Sequence, residues 1–333
     1  MKKALKFVGI VVGVLLLVLV GALAFFVLKY PDVDPPPAVT VERTPERIAR
    51  GKYLANHVTI CIDCHSTRDW TKFAGPIIAG TEGKGGEEFN EQIGGIPGTL
   101  FSANITPAGI GQYTDGELLR VFTVGVTREK RAIFPLMPYL GYNNLSQEDA
   151  YSIVAYLRSL PPIENTIKES KLNFPVNLIV RTIPPKSYQP KPAPEKSNTI
   201  EYGRYLSTIA ACGDCHTPAV KGERIPGMEF AGGMEFTFPS GTVRSLNITP
   251  DEETGIGTWT KEDFIARFKA FADSSSRNVS VTMNEFNTPM PWIMYAGMTD
   301  EDLGSIYAFL RTLKPVKHQV EKFTEHQHTA AMK

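Results

Sequence analysis

The chain carries the pattern Cys-x-x-Cys-His twice, and both copies lie inside an internal sequence duplication. The first copy is Cys61-Ile62-Asp63-Cys64-His65 and the second is Cys212-Gly213-Asp214-Cys215-His216. The two motifs contain all four cysteines of the 333-residue chain. This repetition restricts the possible folds, because each copy must form a unit that presents two thiols and an imidazole in the same arrangement.

The duplication extends well beyond the two motifs. Each copy continues with Asn-Ile-Thr-Pro, then Gly-Ile-Gly and an aromatic residue, a threonine-capped helix, a Met-Pro loop and a final capped helix. We therefore assign repeat 1 to residues 44–163 and repeat 2 to residues 198–316. Apolar residues at three- and four-residue spacing predict that both repeats are mostly α-helical. Matched glycines, Gly51 and Gly203, predict a close crossing of the first helix of each repeat over its last.

The segments outside the repeats have distinct compositions. Three lysines precede an uncharged apolar run, Phe7 to Leu28, which spans roughly 33 Å as a helix. We expect residues 1–30 to be a single-pass transmembrane anchor with a cytoplasmic N-terminus; a long signal peptide is the alternative. Residues 31–43 read as a proline-rich spacer and residues 317–333 as a disordered tail. The linker over residues 164–197 has an apolar centre, which we expect to pack on one or both repeats.

Cys-x-x-Cys-His is the attachment signature of c-type haem. Two thiols on one helical turn can reach two vinyl groups at one edge of a porphyrin, and the adjoining imidazole can bind the iron. A thioredoxin-like pair would not require the histidine, and a four-cysteine zinc site would leave both histidines unexplained. The sequence therefore predicts two covalently bound haem c groups, with thioethers at Cys61, Cys64, Cys212 and Cys215 and proximal iron ligands at His65 and His216.

Matched methionines are the candidates for the sixth iron ligands. Met137 and Met290 occupy equivalent proline-flanked loops, and methionine paired with histidine is a common ligand set in cytochromes c. Other methionines of repeat 2 have no counterpart in repeat 1, and we expect His57 to be a surface or packing residue rather than a ligand. Tyr113 and Trp259 border the haem edge or serve only in core packing. We also expect two loop asparagines, Asn104 and Asn247, to hold the loops around the haem edge.

Both repeats resemble class I cytochrome c domains. The chain resembles dihaem cytochromes related to the cytochrome subunits of periplasmic alcohol, aldehyde and gluconate dehydrogenases. The resemblance is carried by the two Cys-x-x-Cys-His motifs, Asn-Ile-Thr-Pro with Gly-Ile-Gly, the Met-Pro loops and the endings Tyr-Leu-Arg-Ser-Leu and Phe-Leu-Arg-Thr-Leu of the final helices. It implies a mostly α fold with two tandem cytochrome c-like haem domains behind one N-terminal transmembrane helix. Those subunits usually carry three such domains, whereas this chain has two motifs.

The resemblance and the ligand set imply an electron carrier of a bacterial respiratory chain, not an enzyme. The expected donor is a quinol-oxidising complex or a periplasmic dehydrogenase, and the expected acceptor is a terminal oxidase or a soluble cytochrome. The anchor implies the inner membrane, with the haem domains in the periplasm. Basic and acidic residues are equal at 35 each, so charge does not indicate nucleic-acid binding.

Two other functions remain open at this point. A dihaem peroxidase requires a haem with an open or displaceable sixth position, and matched methionine loops in both repeats disfavour it. An electron-entry subunit of a specific dehydrogenase complex would use the same haem chemistry in a different assembly.

Overall fold

The structure, a computed structural model, describes residues 2–91, 95–220, 222–282 and 284–326. Helices are the main secondary structure, as predicted. The helices are α1 (Lys2–Lys29), α2 (Pro45–Tyr53), α3 (Cys61–Cys64), α4 (Pro107–Ile110), α5 (Asp115–Val124), α6 (Tyr139–Tyr142), α7 (Gln147–Ser159), α8 (Val176–Ile179), α9 (Thr199–Ile209), α10 (Cys212–His216), α11 (Lys261–Lys269), α12 (Trp292–Tyr295) and α13 (Asp300–Leu310). The strands are β1 (Glu88–Asn90), β2 (Gly98–Phe101), β3 (Lys171–Leu172), β4 (Ala219–Val220), β5 (Glu223–Arg224), β6 (Glu235–Phe238), β7 (Gly241–Arg244) and β8 (Phe323–Glu325).

Helix α1 has the length and composition of a membrane-spanning segment. Among the described residues it alone is long and apolar enough to cross a bilayer, and none of its residues is buried in the protein. A signal sequence near an N-terminus shares these two properties, so the helix fits both a membrane anchor and a secretion signal.

Each repeat is built on a crossing of its first and last helices. Helix α2 packs on α7 in repeat 1, and α9 packs on α13 in repeat 2. A Cβ atom on Gly51 would lie 1.8 Å from the carbonyl oxygen of Ser152, and one on Gly203 would lie 1.8 Å from that of Ser305. The predicted close crossing is therefore confirmed in both repeats, because only glycine allows the two backbones to approach this closely.

The helices begin where their capping residues predict. Thr114 and Thr260 each form a capping box, in which the threonine side chain and an acidic side chain three residues later satisfy each other's backbone N–H groups. Ser146 and Thr299 cap the final helices through the same kind of side-chain hydrogen bond. Local sequence therefore determines where these four helices start.

The two repeats differ by one residue between the first helix and the Cys-x-x-Cys-His motif. Cys61 is ten residues after Gly51, whereas Cys212 is nine residues after Gly203. In repeat 1 the additional residue is accommodated in a π-helical turn, Leu54–Val58, which continues α2. A single-turn π-helix is the usual way for a helix to absorb one inserted residue. The insertion places His57 in this turn.

The linker packs along repeat 1, but its apolar centre does so only in part, because Phe174 and Ile179 stay 78% and 52% exposed. Strand β3 pairs with β2, and β1 completes this antiparallel sheet of three strands. Farther along, the Tyr188 hydroxyl donates to the carbonyl of Leu145. The structural unit of repeat 1 therefore extends past residue 163, where the sequence duplication ends.

The prediction of a disordered tail is wrong for residues 317–326. Strand β8 pairs with β7, which is itself paired with β6, and the Phe323 ring packs edge-on against Phe286 at 5.5 Å. The His318 imidazole also bonds to the Ala231 carbonyl at 2.9 Å. An open strand edge with a nearby aromatic surface can order a polar segment that has no periodic apolar pattern of its own. The rest of the predicted tail, residues 327–333, lies outside the described residues.

The repeats share one continuous core. Buried side chains of both repeats, among them Leu54, Ile62, Leu206 and Leu303, belong to the same apolar cluster. Helix α6 of repeat 1 contacts α9 of repeat 2, and α12 of repeat 2 contacts the π-helical turn of repeat 1. Both repeats therefore use the same two parts at their mutual contact: the helix after the methionine loop and the segment before the cysteine motif.

A second contact joins two loops of the repeats. The Asn287 side chain accepts a hydrogen bond from the Ala74 backbone N–H at 2.8 Å and donates to the Lys72 carbonyl. Beside it, the Phe73 ring stacks on Phe271 at 5.9 Å. Within the described parts of both repeats this contact has no symmetric counterpart, and sequence comparison of the repeats does not predict it.

Candidate functional site

The cysteine motifs have the same local geometry in both repeats. Cys61 and Cys64 are the first and last residues of α3, and Cys212 and Cys215 lie one turn apart in α10. The residue before each first cysteine has a left-handed backbone, with φ of 46° at Ile60 and 55° at Ala211. This sharp entry starts each short helix at the first cysteine. One helical turn places both thiols of each motif on the same face.

The histidine of each motif is held by a backbone carbonyl. His65 Nδ1 lies 2.7 Å from the carbonyl oxygen of Ala103, and His216 Nδ1 lies 2.7 Å from that of Leu246. Because a carbonyl oxygen only accepts hydrogen bonds, Nδ1 must carry the proton in each ring. The opposite nitrogen, Nε2, then keeps its lone pair for a metal ion.

The asparagines of the Asn-Ile-Thr-Pro segments fix the loops that supply those carbonyls. Asn104 accepts a hydrogen bond from Thr106 N and donates to the carbonyl of Ile163. Asn247 makes the same pair of bonds, with Thr249 N and the carbonyl of Val316. Each asparagine directly follows the residue whose carbonyl holds the histidine, so it positions the acceptor.

Two glycines complete the histidine supports, and the sequence comparison did not identify them. Gly85 N–H donates to the His65 carbonyl and Gly232 N–H donates to the His216 carbonyl. A Cβ atom on either glycine would lie 2.4 Å from the acceptor loop, and both have positive φ. Each repeat contains a Gly-Gly pair at this point, which is the sequence signal that identifies them.

The candidate methionines occupy equivalent turns. Tyr139 N–H donates to the Met137 carbonyl at 2.7 Å, and Trp292 N–H donates to the Met290 carbonyl at 2.8 Å. Both methionines are half-buried and pack against the shared core. Of the other methionines in repeat 2, Met294 and Met298 are buried as core residues, Met228 and Met234 are half-buried, and Met283 lies outside the described residues.

The aromatic candidates also lie against the core. Tyr113 and Trp259 are half-buried and pack against the same cluster as Cys61 and Cys212. The Trp259 backbone is fixed by the Tyr307 hydroxyl, which donates to its carbonyl at 2.7 Å. The structure therefore places the first cysteine of each motif, both candidate methionines and both aromatic candidates against one apolar cluster.

A buried tyrosine joins each methionine loop to the cysteine motif of its own repeat. The Tyr142 hydroxyl donates to the Thr59 carbonyl at 2.5 Å, and the Tyr295 hydroxyl donates to the Ala210 carbonyl at 2.6 Å. Each acceptor lies two residues before the first cysteine. The two hydroxyls therefore link the methionine loop to the cysteine motif in the same way in both repeats.

Burial keeps the thiols and imidazoles of the motifs uncharged. It raises the pKa of Cys64, Cys212 and Cys215 to about 12, and that of Cys61 in the same direction. It also lowers the pKa of His65 and His216. A redox-active or nucleophilic cysteine pair has the opposite property, a lowered thiol pKa. Neutral imidazoles with an oriented lone pair suit an iron ligand.

The donor set fits c-type haem better than zinc or a disulfide. All four cysteines are within the described part of the chain, and none of them forms a disulfide. Across the described ranges, no group of three or more His, Cys, Asp and Glu side chains is arranged to hold a bare metal ion. The thiols of the two motifs therefore do not meet as a four-cysteine zinc site.

The two motifs have different electrostatic surroundings. In repeat 1, Asp63 pairs with Arg68 at 2.6 Å, and each side chain is only 5% exposed. The Arg68 guanidinium also lies 4.0 Å from the centre of the Trp70 ring. In repeat 2 the equivalent Asp214 pairs with Arg224, and both side chains are largely exposed. Any cofactor bound by the motifs would therefore experience two different local fields.

Comparison with known proteins identifies relatives over most of the chain. No protein-family model matches the sequence. The cytochrome c subunit of a quinone alcohol dehydrogenase from Gluconacetobacter polyoxogenes is 26% identical over 301 residues, covering 86% of this chain and 60% of the relative. The fructose dehydrogenase cytochrome subunit of Gluconobacter japonicus is 27% identical over 282 residues, covering 80% and 52% respectively.

A relative named as a diheme cytochrome is matched over most of its own length. The diheme cytochrome c-type protein of Cereibacter sphaeroides is 27% identical over 271 residues, covering 77% of this chain and 83% of the relative. The resemblance to c-type cytochromes is confirmed. This cytochrome-like chain spans about three fifths of the length of the dehydrogenase subunits, as the coverage of the first relative shows.

Proposed function

We propose that this chain is a membrane-anchored dihaem c-type cytochrome that carries electrons and catalyses no reaction of its own. The observation that carries the proposal is the matched pair of histidine bonds, His65 to Ala103 and His216 to Leu246, each at 2.7 Å. In both repeats this bond prepares Nε2 as a ligand beside two uncharged thiols. The names of its relatives, all cytochromes or cytochrome subunits among those described above, support a carrier.

The residues that would hold haem follow from the matched geometry. Cys61 with Cys64, and Cys212 with Cys215, would form the thioethers, while His65 and His216 would bind iron from one side. Met137 and Met290 are proposed for the opposite side, and Tyr113 and Trp259 for the haem edge. Bound there, haem would supply a one-electron redox centre whose potential is raised by a methionine ligand. The chain's own contribution is to orient the ligands and to surround them with apolar side chains.

The contact between the repeats supports electron exchange within one chain. Helix α12 of repeat 2 contacts the π-helical turn that precedes Cys61, and α6 of repeat 1 contacts α9, which precedes Cys212. The His57 ring of that turn also bonds to the Met294 carbonyl of repeat 2 at 2.9 Å. Both motifs adjoin the repeat interface, which supports a short path between the two sites.

The proposed partners are redox proteins at the bacterial inner membrane. A retained α1 would place the N-terminus in the cytoplasm and the repeats in the periplasm. A quinol-oxidising complex or a periplasmic dehydrogenase would then supply electrons, and a terminal oxidase or soluble cytochrome would accept them. The relatives named as dehydrogenase subunits also favour a second arrangement, in which this chain is the electron-entry subunit of one dehydrogenase complex.

Haem counting in the full-length chain and matched variants tests the proposal. We expect two covalent haems in the parent protein, in agreement with its two motifs. Replacing both cysteines of one motif by alanine, as Cys61→Ala with Cys64→Ala or Cys212→Ala with Cys215→Ala, should leave one. The core variant Met298→Leu is the control and should keep both.

Carbon monoxide binding by the same preparations distinguishes an electron carrier from a peroxidase. The reduced parent protein should not bind carbon monoxide, because methionine and histidine would close both sides of each iron. Absence of covalent haem from protein made in a host with haem-attachment machinery would overturn the proposal. Carbon monoxide binding together with peroxide turnover would show that the protein is a dihaem peroxidase instead of an electron carrier.

A further inference from the structure

The linker is attached to the end of helix α1. The Arg181 guanidinium donates to the carbonyl of Val27 at 2.7 Å and to that of Tyr30, both at the C-terminal end of the helix. The carbonyls of a last helical turn have no intrahelical partner, so this arginine caps the helix from another part of the chain. Val180, which precedes Arg181 in the same 3₁₀ turn, is buried at 4% exposure and fixes this turn.

A second set of bonds holds the linker against the spacer. The Lys186 ammonium lies 2.9 Å from an Asp32 carboxylate oxygen, and Asp34 N–H donates to the Lys186 carbonyl at 2.8 Å. Lys29, at the end of α1, pairs with the same Asp32. The linker from Arg181 to Lys186 is therefore fixed alongside the last residues of α1 and does not swing freely beneath repeat 1.

Two large exposed apolar side chains lie in the residues just before this fixed segment. Phe174 is 78% exposed and Ile179 is 52% exposed. Ile179 is two residues before Arg181, and the short helix α8 with the following 3₁₀ turn, Val180–Thr182, separates Phe174 from Arg181 by roughly 10 Å at a helical rise per residue. The interfacial layer on each side of the hydrocarbon core is about 5–8 Å thick, so both side chains are within reach of it.

Basic residues flank the exposed apolar pair along the chain. Lys168 and Lys171 precede the segment, Arg181 and Lys186 follow it, and Lys29 lies at the end of α1. Phenylalanine and isoleucine flanked by lysine and arginine are typical of a segment that lies in a membrane interface, because the apolar groups enter the acyl boundary while the cations meet lipid phosphates.

We propose that residues 174–182 form a second membrane contact, in which Phe174 and Ile179 enter the interface of the phospholipid bilayer crossed by α1. The inference rests on the proposed retention of α1 as an anchor. Two attachment points, one through the helix and one through the linker, fix the orientation of repeat 1 relative to the membrane. A partner in the same membrane would then meet a constant face of the cytochrome.

Spin labelling of the full-length, haem-loaded chain in phospholipid nanodiscs tests the contact. An introduced cysteine is the single free thiol there if the native cysteines are thioethers, and the number of labels per chain checks this. The labelled variants are Phe174→Cys and Ile179→Cys, with Val220→Cys as the matched control, since Val220 is an equally apolar side chain that is 60% exposed in repeat 2. Leu16→Cys, near the middle of α1, reports whether the helix lies in the bilayer.

The measurement is the ratio of nitroxide collisions with oxygen, which concentrates in the bilayer, to collisions with a water-soluble nickel chelate. We expect this ratio at positions 174 and 179 to be several-fold higher than at 220 and lower than at 16, because the interface lies between water and the bilayer centre. Equal ratios at 174, 179 and 220, with a high ratio at 16, would overturn the second contact while the anchor stands. A low ratio at 16 would overturn the anchor and this inference with it, and more than one label per chain would overturn the proposed thioethers.

Discussion

Tyr53 of repeat 1 donates a hydrogen bond of 2.6 Å to the Asp302 carboxylate of repeat 2. The duplication makes the reverse bond as well, because Tyr205 of repeat 2 donates to Asp149 of repeat 1, also at 2.6 Å. Each hydroxyl in addition accepts the N–H of the capping residue of the helix that it reaches. The repeats therefore meet through a self-complementary surface, as the subunits of a twofold-symmetric dimer do.

The two aspartates differ in the hydrogen bonds that they keep when the tyrosine hydroxyl is removed. Asp149 also accepts two hydrogen bonds from Arg50, whereas the other Asp302 oxygen has no hydrogen-bond partner and only Lys196 at 3.6 Å. Tyr53→Phe should therefore destabilise the protein by about 2 kcal/mol and Tyr205→Phe by about 1 kcal/mol, since a buried carboxylate with fewer partners loses more. Denaturant unfolding in detergent measures both values.

The control for these variants is Tyr151→Phe, at a half-buried tyrosine with the Arg47 guanidinium over its ring. We expect a change within about 0.5 kcal/mol there. Equal effects of the Tyr53 and Tyr205 variants would contradict the asymmetry between the two carboxylates.

Alanine at either crossing glycine should force the paired helices apart. Gly51→Ala and Gly203→Ala each place a Cβ atom 1.8 Å from a carbonyl oxygen of the facing helix. Neither backbone can move without disturbing the core, so we expect each variant to lose about 3 kcal/mol. Gly304→Ala is the matched control on α13, because the nearest contact of its Cβ would be the flexible Lys261 side chain at 3.3 Å.

That control should be stabilised by about 0.5 kcal/mol, since alanine favours the helix over glycine. The thermal unfolding midpoint of the three variants ranks these effects. A Gly304 variant as unstable as the other two would show that helix composition, not the close crossing, is responsible.

His57 should make stability depend on pH. Its ring bonds to the Met294 carbonyl across the repeat interface at 2.9 Å, and burial lowers its pKa. In the unfolded chain the pKa of the ring is about 6.5. Around and below that pH the unfolded state therefore binds more protons than the folded state. The free energy of unfolding should therefore fall as pH drops from about 7.5 to about 5.5.

His57→Gln removes this titration while keeping a polar side chain in the π-helical turn. The fall in stability over the same pH range should be smaller in the variant, measured by denaturant unfolding at each pH. Identical slopes in the parent and the variant would assign the pH dependence to other groups.

The proposed methionine ligands predict separate spectral and redox changes. Met137→His and Met290→His should each remove about half of the weak red band that sulfur gives to ferric haem, and should lower one midpoint potential, because histidine raises the potential less than methionine does. Absorption spectroscopy and redox titration measure the two effects. The buried core variant Met298→Leu should change neither, and a Met137 or Met290 variant with an unaltered spectrum would reject that residue as a ligand.

Local sequence was sufficient for the parts of each repeat that depend on near neighbours. The capping threonines 114 and 260 predicted where α5 and α11 begin, and the matched glycines 51 and 203 predicted the helix crossings. These features are recognisable because each requires a particular residue type at one position: an oxygen that accepts a backbone N–H, or the absence of a Cβ atom.

The positions of the site residues were predictable only in part. The duplication paired Met137 with Met290 and Tyr113 with Trp259, but it did not show which carbonyls hold the histidines. It also missed Gly85 and Gly232, since their role depends on a loop that crosses from another part of the chain. The assignment of iron ligands stays a prediction that the experiments above test.

The sequence by itself determined that the chain contains two equivalent units with the same donor groups, because the repeated motifs and caps are local in the chain. Only the tertiary structure decided how those units meet. The Tyr53–Asp302 bond, the ordering of β8 and the attachment of Arg181 to α1 join residues far apart in sequence. Such contacts depend on complementary surfaces that exist only after the helices have packed, so no local sequence pattern predicts them.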